Sequence, residues 1–117
     1  MIQVVNLKSK LEKFSEHWAP KIVSTYNGND LMVAKLQGEF IWHAHPDTDD
    51  FFLVLKGNLI IELRDRDLNL GPGDLCVIPK GVEHRPKATE EVHLLLIEST
   101  GAPNTGDVKT AVWKETL

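Results

Sequence analysis

WHAHPDTDDFFLVLKG, residues 42–57, sets two histidines one residue apart, follows them with an acidic cluster and ends in an apolar run that stops at Gly57. On an extended chain alternate side chains share a face. Within GEFIWHAH, Ile41, His43 and His45 then point one way and Phe40, Trp42 and Ala44 the other. Within DFFLVLKG, Asp50, Phe52 and Val54 oppose Phe51, Leu53 and Leu55. A strand apolar on both sides is covered on both sides. The run therefore predicts a strand of an all-β sandwich or barrel whose outer face meets a second layer. In so short a chain a second subunit is an available cover. The expectation is a homodimer through a sheet face containing some of Phe40, Trp42, Phe51 and Leu53.

Two imidazoles at i and i+2 of a strand project side by side into one cavity. Neutral imidazoles suit Fe, Zn, Ni or Cu, and a nearby carboxylate widens the choice to Mn. The pair alone is equally compatible with a surface turn, or with histidines hydrogen-bonded in a polar interior.

Outside this stretch, Leu7, Leu11 and Phe14 recur at helical spacing and predict one short N-terminal helix over about residues 6–16. After Pro20 the chain is punctuated by NGND at 27–30, Gly38, Gly57, RDRD at 64–67, GPGD at 71–74 and KG at 80–81, with short Val, Ile, Leu and Phe segments between. Roughly six to ten short strands at such spacing predict a barrel or sandwich. It should occupy about residues 20–100, with residues 101–117 wrapping the body before a last short segment around Ala111 to Trp113. All 117 residues read as a single domain.

Composition narrows the partners. The net charge is −4, with 42% hydrophobic and 26% charged residues, and no basic face is available for nucleic acid. Runs such as FFLVL and HLLLI fall far short of the roughly 20 residues that span a bilayer. The N-terminus lacks a secretory pattern, so cytoplasmic residence is the default expectation. A lone Cys76 in DLCVIP reads as a small strand thiol rather than a nucleophile.

A second stretch turns the histidine pair into a pattern. Gly38, His43, His45, Asp50 and Gly57 resemble the first motif of the cupin superfamily, and GDLCVIPKGVEH resembles the second, with Gly73, Pro79, Gly81 and His84 in matching places. The likeness runs over roughly residues 30–100. It is closest to small single-domain cupins of the mannose-6-phosphate isomerase-like type, through VAKLQGEFIWHAH, FFLVLKG and GVEHRP. The resemblance implies a jelly-roll β-barrel in which His43, His45, Asp50 and His84 converge on one divalent transition metal ion, such as Fe, Mn, Ni or Zn.

Three positions depart from the family pattern. Asp50 stands where glutamate is usual, shorter by roughly 1.5 Å. It either reaches the metal, binds through water, or orients a liganding histidine. Four residues rather than five separate Gly38 from His43, and Ala88 replaces a frequent asparagine.

Three imidazoles, with or without Asp50, leave positions open for substrate or dioxygen. The expected function is a metal-dependent oxygenase or isomerase acting on a small oxygenated molecule; the alternative is a non-catalytic module that binds a small ligand or metal. Ile41, Phe52, Val54 and Ile60 are the expected apolar walls, and His93 either lines the pocket or is a satisfied core residue. Lys35 and Gln37 either add polar groups to the cavity or face water at an edge, and His17 is expected in solvent. Catalytic residues are not assigned: Tyr26 lies in an early strand, and neither Glu83 nor Glu98 can be allotted to the cavity.

Overall fold

Asn27 and Gly28 both take positive φ, 48° and 76°, so the two-residue loop between Tyr26 and Asn29 turns with the twist of its strands. That hairpin joins β1 (Lys21–Tyr26) to β2 (Asn29–Glu39). The remaining strands are β3 (Asp50–Lys56), β4 (Leu59–Leu63), β5 (Asp67–Leu70), β6 (Leu75–Ile78), β7 (His84–Ser99) and β8 (Glu115–Thr116). One helix, α1 (Leu7–Leu11), starts where the Asn6 side chain accepts from the Ser9 N–H, and it is shorter than the heptad-like spacing through Phe14 suggested. The computed structural model describes residues 2–107 and 113–117. Of the last short segment expected around Ala111 to Trp113, Ala111 lies outside the described residues and Trp113 is outside any strand; β8, two residues further on, pairs in parallel with β1.

The architecture is the expected all-β jelly roll with a short N-terminal helix. Strand order is β5-β4-β7-β2-β1-β8, and β3 pairs with both β6 and β7. β7 is long enough to pair with two strands on one edge: residues 84–87 pair with β4 and residues 93–95 with β3, while β2 runs along most of its length. Between them the register against β2 slips, Leu36 facing Val92 but Gly38 facing Ala88, so two extra residues bulge from β7. A bulge bends its strand. This one carries β7 around the corner of the fold.

Period-two alternation holds on β3 and β7. Asp50, Phe52 and Val54 face inward, as do His84, Pro86, Ala88, Val92, Leu94, Leu96 and Glu98. Val54, Val92 and Leu94 are fully buried, each stabilising by about 1.5–3 kcal/mol. The outer face is covered partly by the chain itself. Leu55 and Leu95 pack against a small cluster of Leu11, Val23 and Val33 that α1 completes. Phe51 and Leu53 remain half-buried, opposite Val77 and Leu75 of β6.

The four proposed face residues separate. GEFIWHAH is not one strand: β2 ends at Glu39, and only His43 rejoins the sheet, as an isolated bridge to His84. Phe40 turns inward and stacks on Trp18 with ring centroids 4.8 Å apart. Trp42 lies beside the guanidinium carbons of Arg64 and Arg85, 3.8 and 5.4 Å from its ring. Neither is on the face that carries Phe51 and Leu53.

Candidate metal centre

The loop after β2 is tied to the start of β7 by backbone. His43 and His84 exchange both hydrogen bonds, N to O at 3.1 and 2.9 Å, and the Gly81 N–H donates to the His45 carbonyl at 2.8 Å. This arrangement is the closed pair of an antiparallel ladder, which sets two side chains as neighbours. The His43 and His84 rings accordingly stand 4.4 Å apart. Asp50 enters as the first residue of β3, paired with Ile78 of β6. The four side chains converge, with one ligand atom from each all within 4.8 Å of one another.

The hydrogen bonds set which nitrogen is available. His43 Nδ1 and His84 Nδ1 each lie 2.9 Å from a carbonyl oxygen, those of Ile41 and Val82. A carbonyl only accepts, so both Nδ1 atoms carry hydrogen and each neutral ring turns the lone pair of Nε2 toward the centre. Asp50 Oδ2 stands 2.8 Å from His84 Nε2, 3.2 Å from His45 Nε2 and 3.9 Å from His43 Nε2. Lone pairs facing at such separations require a positive charge between them, a proton or a metal ion. His45 Nε2 is buried with no hydrogen-bond partner, its approach to Asp50 being off the line of a hydrogen bond. Ligand atoms on one ion at about 2.1 Å stand about 3.0–4.2 Å apart; with Asp50 2.8–3.9 Å from the three imidazoles and all four atoms within 4.8 Å, the donor set fits such a group after shifts of well under about 1 Å.

Electrostatics point the same way. Burial pulls the His43 imidazolium down to about 4, so the ring is neutral near pH 7. Burial also opposes a charge on His45, but the adjoining Asp50 carboxylate outweighs it and raises the pKa. Burial pushes the Asp50 carboxyl up, and His45 and His84 more than offset it, holding it below the ordinary carboxylate range. Asp50 thus stays an anion facing three imidazoles. The shorter side chain has not kept it out of the cluster.

A small cavity of about 40 Å³ opens beside these residues. Its walls include His43, Asp50, Phe52, Trp18, Phe40 and Glu98. The rings meet the imidazoles edge-on, Phe40 to His43 at 5.2 Å and Phe52 to His84 at 6.0 Å. Trp18 has a left-handed backbone, φ 61°, held by its N–H to Lys35 O and its indole N–H to Gln37 O, both at 2.9 Å. A groove of about 810 Å³ elsewhere is larger, but none of the four convergent residues lines it.

Of the expected walls, Phe52 is in place. Ile41 is 45% exposed because the chain has left the sheet there, Ile60 lines the separate groove, and Val54 is in the closed core. His93 does not line the cavity beside the cluster; its Nε2 meets Glu91 Oε1 at 2.9 Å, and His17 Nε2 meets the other oxygen of Glu91 at 2.7 Å. Lys35 donates to Phe14 O at 2.6 Å, and Gln37 is exposed along the groove. Tyr26 is 63% exposed, and Glu83 is an exposed partner of Arg64. Cys76 is half-buried on β6, where burial raises its thiol pKa. Glu98, which the sequence reading left unassigned, is 5% exposed and lies in the cavity wall. Parity would have found it. His84 and Glu98 are an even number of residues apart on one strand, and a two-residue bulge preserves phase. Among the described residues, no helix is long and apolar enough to cross a membrane.

With this geometry in view, comparison with known proteins is direct. Residues 31–98, more than half of the chain, match the family model described as Cupin domain. The crystal structure of a cupin-2 domain containing protein from Shewanella frigidimarina NCIMB 400 superimposes with a TM-score of 0.81 at 43% identity, covering 82% of this chain and 94% of that one. The uncharacterized protein YdbB of Bacillus subtilis (strain 168) is 33% identical over 99 residues, 84% of this chain and 88% of YdbB. Acireductone dioxygenase of Rhodopseudomonas palustris (strain TIE-1) is 32% identical over 65 residues, 52% of this chain but 37% of the dioxygenase. Matched in sequence over most of its strands and in fold over most of its length, the chain belongs to the cupin superfamily.

Proposed function

We propose that His43, His45, Asp50 and His84 hold one divalent transition metal ion, and that the protein acts there on a small oxygenated molecule as an oxygenase or isomerase. The observation that carries this reading is the convergence of four ligand atoms within 4.8 Å, one of them the buried, unpartnered His45 Nε2. The partial likeness to an acireductone dioxygenase supports the oxygenase side.

An ion held there would supply a Lewis acid for a substrate oxygen. The chain's own residues do the rest. Carbonyls of Ile41 and Val82 hold two imidazoles in the liganding tautomer. Trp18, Phe40 and Phe52 supply the aromatic part of the cavity wall. A volume of about 40 Å³ admits about three waters, so the occupant is a few heavy atoms across. This small size also favours a second reading, a binder of metal or small ligand that does not turn over.

Elemental analysis of protein purified without a histidine tag tests the metal. About one equivalent of Fe, Mn, Ni or Zn is expected. Less than about a tenth, with no uptake on reconstitution, refutes the reading. Oxygen uptake by the Fe(II) protein with diketones, thiols and catechols separates enzyme from binder.

The protein is also proposed to be a homodimer. The supporting surface is narrower than the sequence suggested: Phe51 and Leu53 with their cross-strand neighbours Val77 and Leu75, the last two 48% and 57% exposed. Covering such a patch is a common use of exposed apolar surface.

A further inference from the structure

Glu98 is a buried carboxylate that nothing in the metal centre uses. It sits near the end of β7, 5% exposed, in the wall of the cavity that His43 and Asp50 also line. Lys114, just before β8, donates to its Oε2 at 2.7 Å and also to the Ala102 carbonyl. Among the described residues Oε1 has no hydrogen bond.

The remaining charged neighbours are few. Asp50 comes from β3, His45 and His43 from the loop after β2, and Asp30 is the cross-strand partner on β2, where the Thr100 hydroxyl already donates to it at 2.9 Å. Burial raises the Glu98 carboxyl above the ordinary range; Lys114 opposes this, Asp50 adds to it and His45 lessens it. A carboxylate in the cavity wall, anchored through one oxygen with the other unused, is placed to accept a proton from a bound ligand.

We propose that Glu98 is a proton-accepting catalytic residue for a small ligand that carries an ionisable hydroxyl and binds at the four-residue centre. In the step, the ligand's O–H bond breaks and its electron pair stays on the ligand oxygen. A new O–H bond forms at Glu98 Oε1. No electrons change hands, and Lys114 keeps the carboxyl in place before and after. The cavity is lined by His43, Asp50 and Glu98 together with the rings of Trp18, Phe40 and Phe52, and this selects a ligand of a few heavy atoms with two oxygen functions.

The inference rests on the metal reading, and one experiment distinguishes the two. Protein reconstituted with Co(II) is titrated at pH 8 with acetohydroxamate, a five-heavy-atom chelator that gives up its hydroxyl proton on binding. Calorimetry in buffers of different ionisation heat counts the protons released. The wild type should release close to none, because Glu98 keeps the proton. Glu98→Gln should release about one more and bind about tenfold more weakly, having lost a charge-assisted hydrogen bond. The double variant Glu98→Gln, Lys114→Met leaves no unpaired lysine, so it guards against misfolding and should match Glu98→Gln. Equal cobalt content with equal proton release in all three overturns the role of Glu98 and leaves the metal centre standing. Failure of the cobalt protein to bind acetohydroxamate overturns it as well. A wild type that takes up no cobalt refutes the metal reading, and the proposal with it.

Discussion

The C-terminal segment approaches the histidine loop so closely that one methyl group is enough to test the contact. A Cβ built at Gly106 would stand 2.1 Å from the Ala44 carbonyl oxygen, 2.9 Å from its carbon and 3.2 Å from His45 Cα. Carbon and oxygen in contact stand about 3.3 Å apart, so one backbone must retreat by about 1 Å. Gly28 supplies the control. Its φ is also 76°, but a Cβ there meets nothing within 4 Å.

A left-handed L residue costs about 1–2 kcal/mol, and roughly half is returned by a stiffer unfolded chain, leaving about 1 kcal/mol for Gly28→Ala. Overlap adds about 1–3 kcal/mol at Gly106. At about 4 °C per kcal/mol for a domain of this size, Gly28→Ala lowers Tm by about 4 °C and Gly106→Ala by about 8–16 °C. The displaced backbone belongs to His45, so metal affinity in Gly106→Ala also falls by about tenfold or more and in Gly28→Ala does not change. Thermal unfolding and metal titration of the two variants read both effects. Equal loss of Tm, or undiminished metal affinity in Gly106→Ala, refutes the reasoning.

Three further outcomes are expected. His84→Ala removes a ligand at the middle of the cluster and should abolish stoichiometric metal, and a full equivalent on elemental analysis contradicts the assignment. Glu91 is held at about 2 by His17 and His93, against an ordinary 4.5, so between those values the unfolded chain binds more protons and stability falls as pH drops through the window. Glu91→Gln should flatten the acid limb of a stability-pH curve, and an unchanged slope would show that the pairings contribute nothing. Leu75→Lys with Val77→Lys should yield a monomer by light scattering while the wild type is a dimer; a monomeric wild type at micromolar concentration ends that proposal.

The sequence was legible where side chains repeat in phase. Asp50, Phe52 and Val54 face inward as alternation required, and His84 arrives beside His43 through the second motif. Alternation misled at GEFIWHAH, because a strand needs a hydrogen-bonding partner and the chain leaves β7 after the Phe40 N–H bonds to Pro86 O, so that Ile41 turns out. Asp50 could not be placed from its length alone. Its position depends on where β3 begins, and pairing with Ile78 sets that. Trp18, Lys114 and Gly106 reach the cavity region from segments remote in sequence, and nothing local in their surroundings marks them. Likewise, nothing local to β3 announced that Leu55 on its outer face would pack against the cluster of Leu11, Val23 and Val33 that α1 completes.

The bent course of β7 divides the cavity into two kinds of wall. Pro86, Leu94, Leu96 and Glu98 belong to one covalent strand locked by ladders to β2, β3 and β4. Trp18, Phe40 and Asn104 come from connecting segments outside the strands. The first set cannot be altered without disturbing the ladders on either side of β7; the second can drift one residue at a time. A protein built this way inherits one wall of its cavity, Glu98 included, as part of its architecture and leaves the opposite wall open to change.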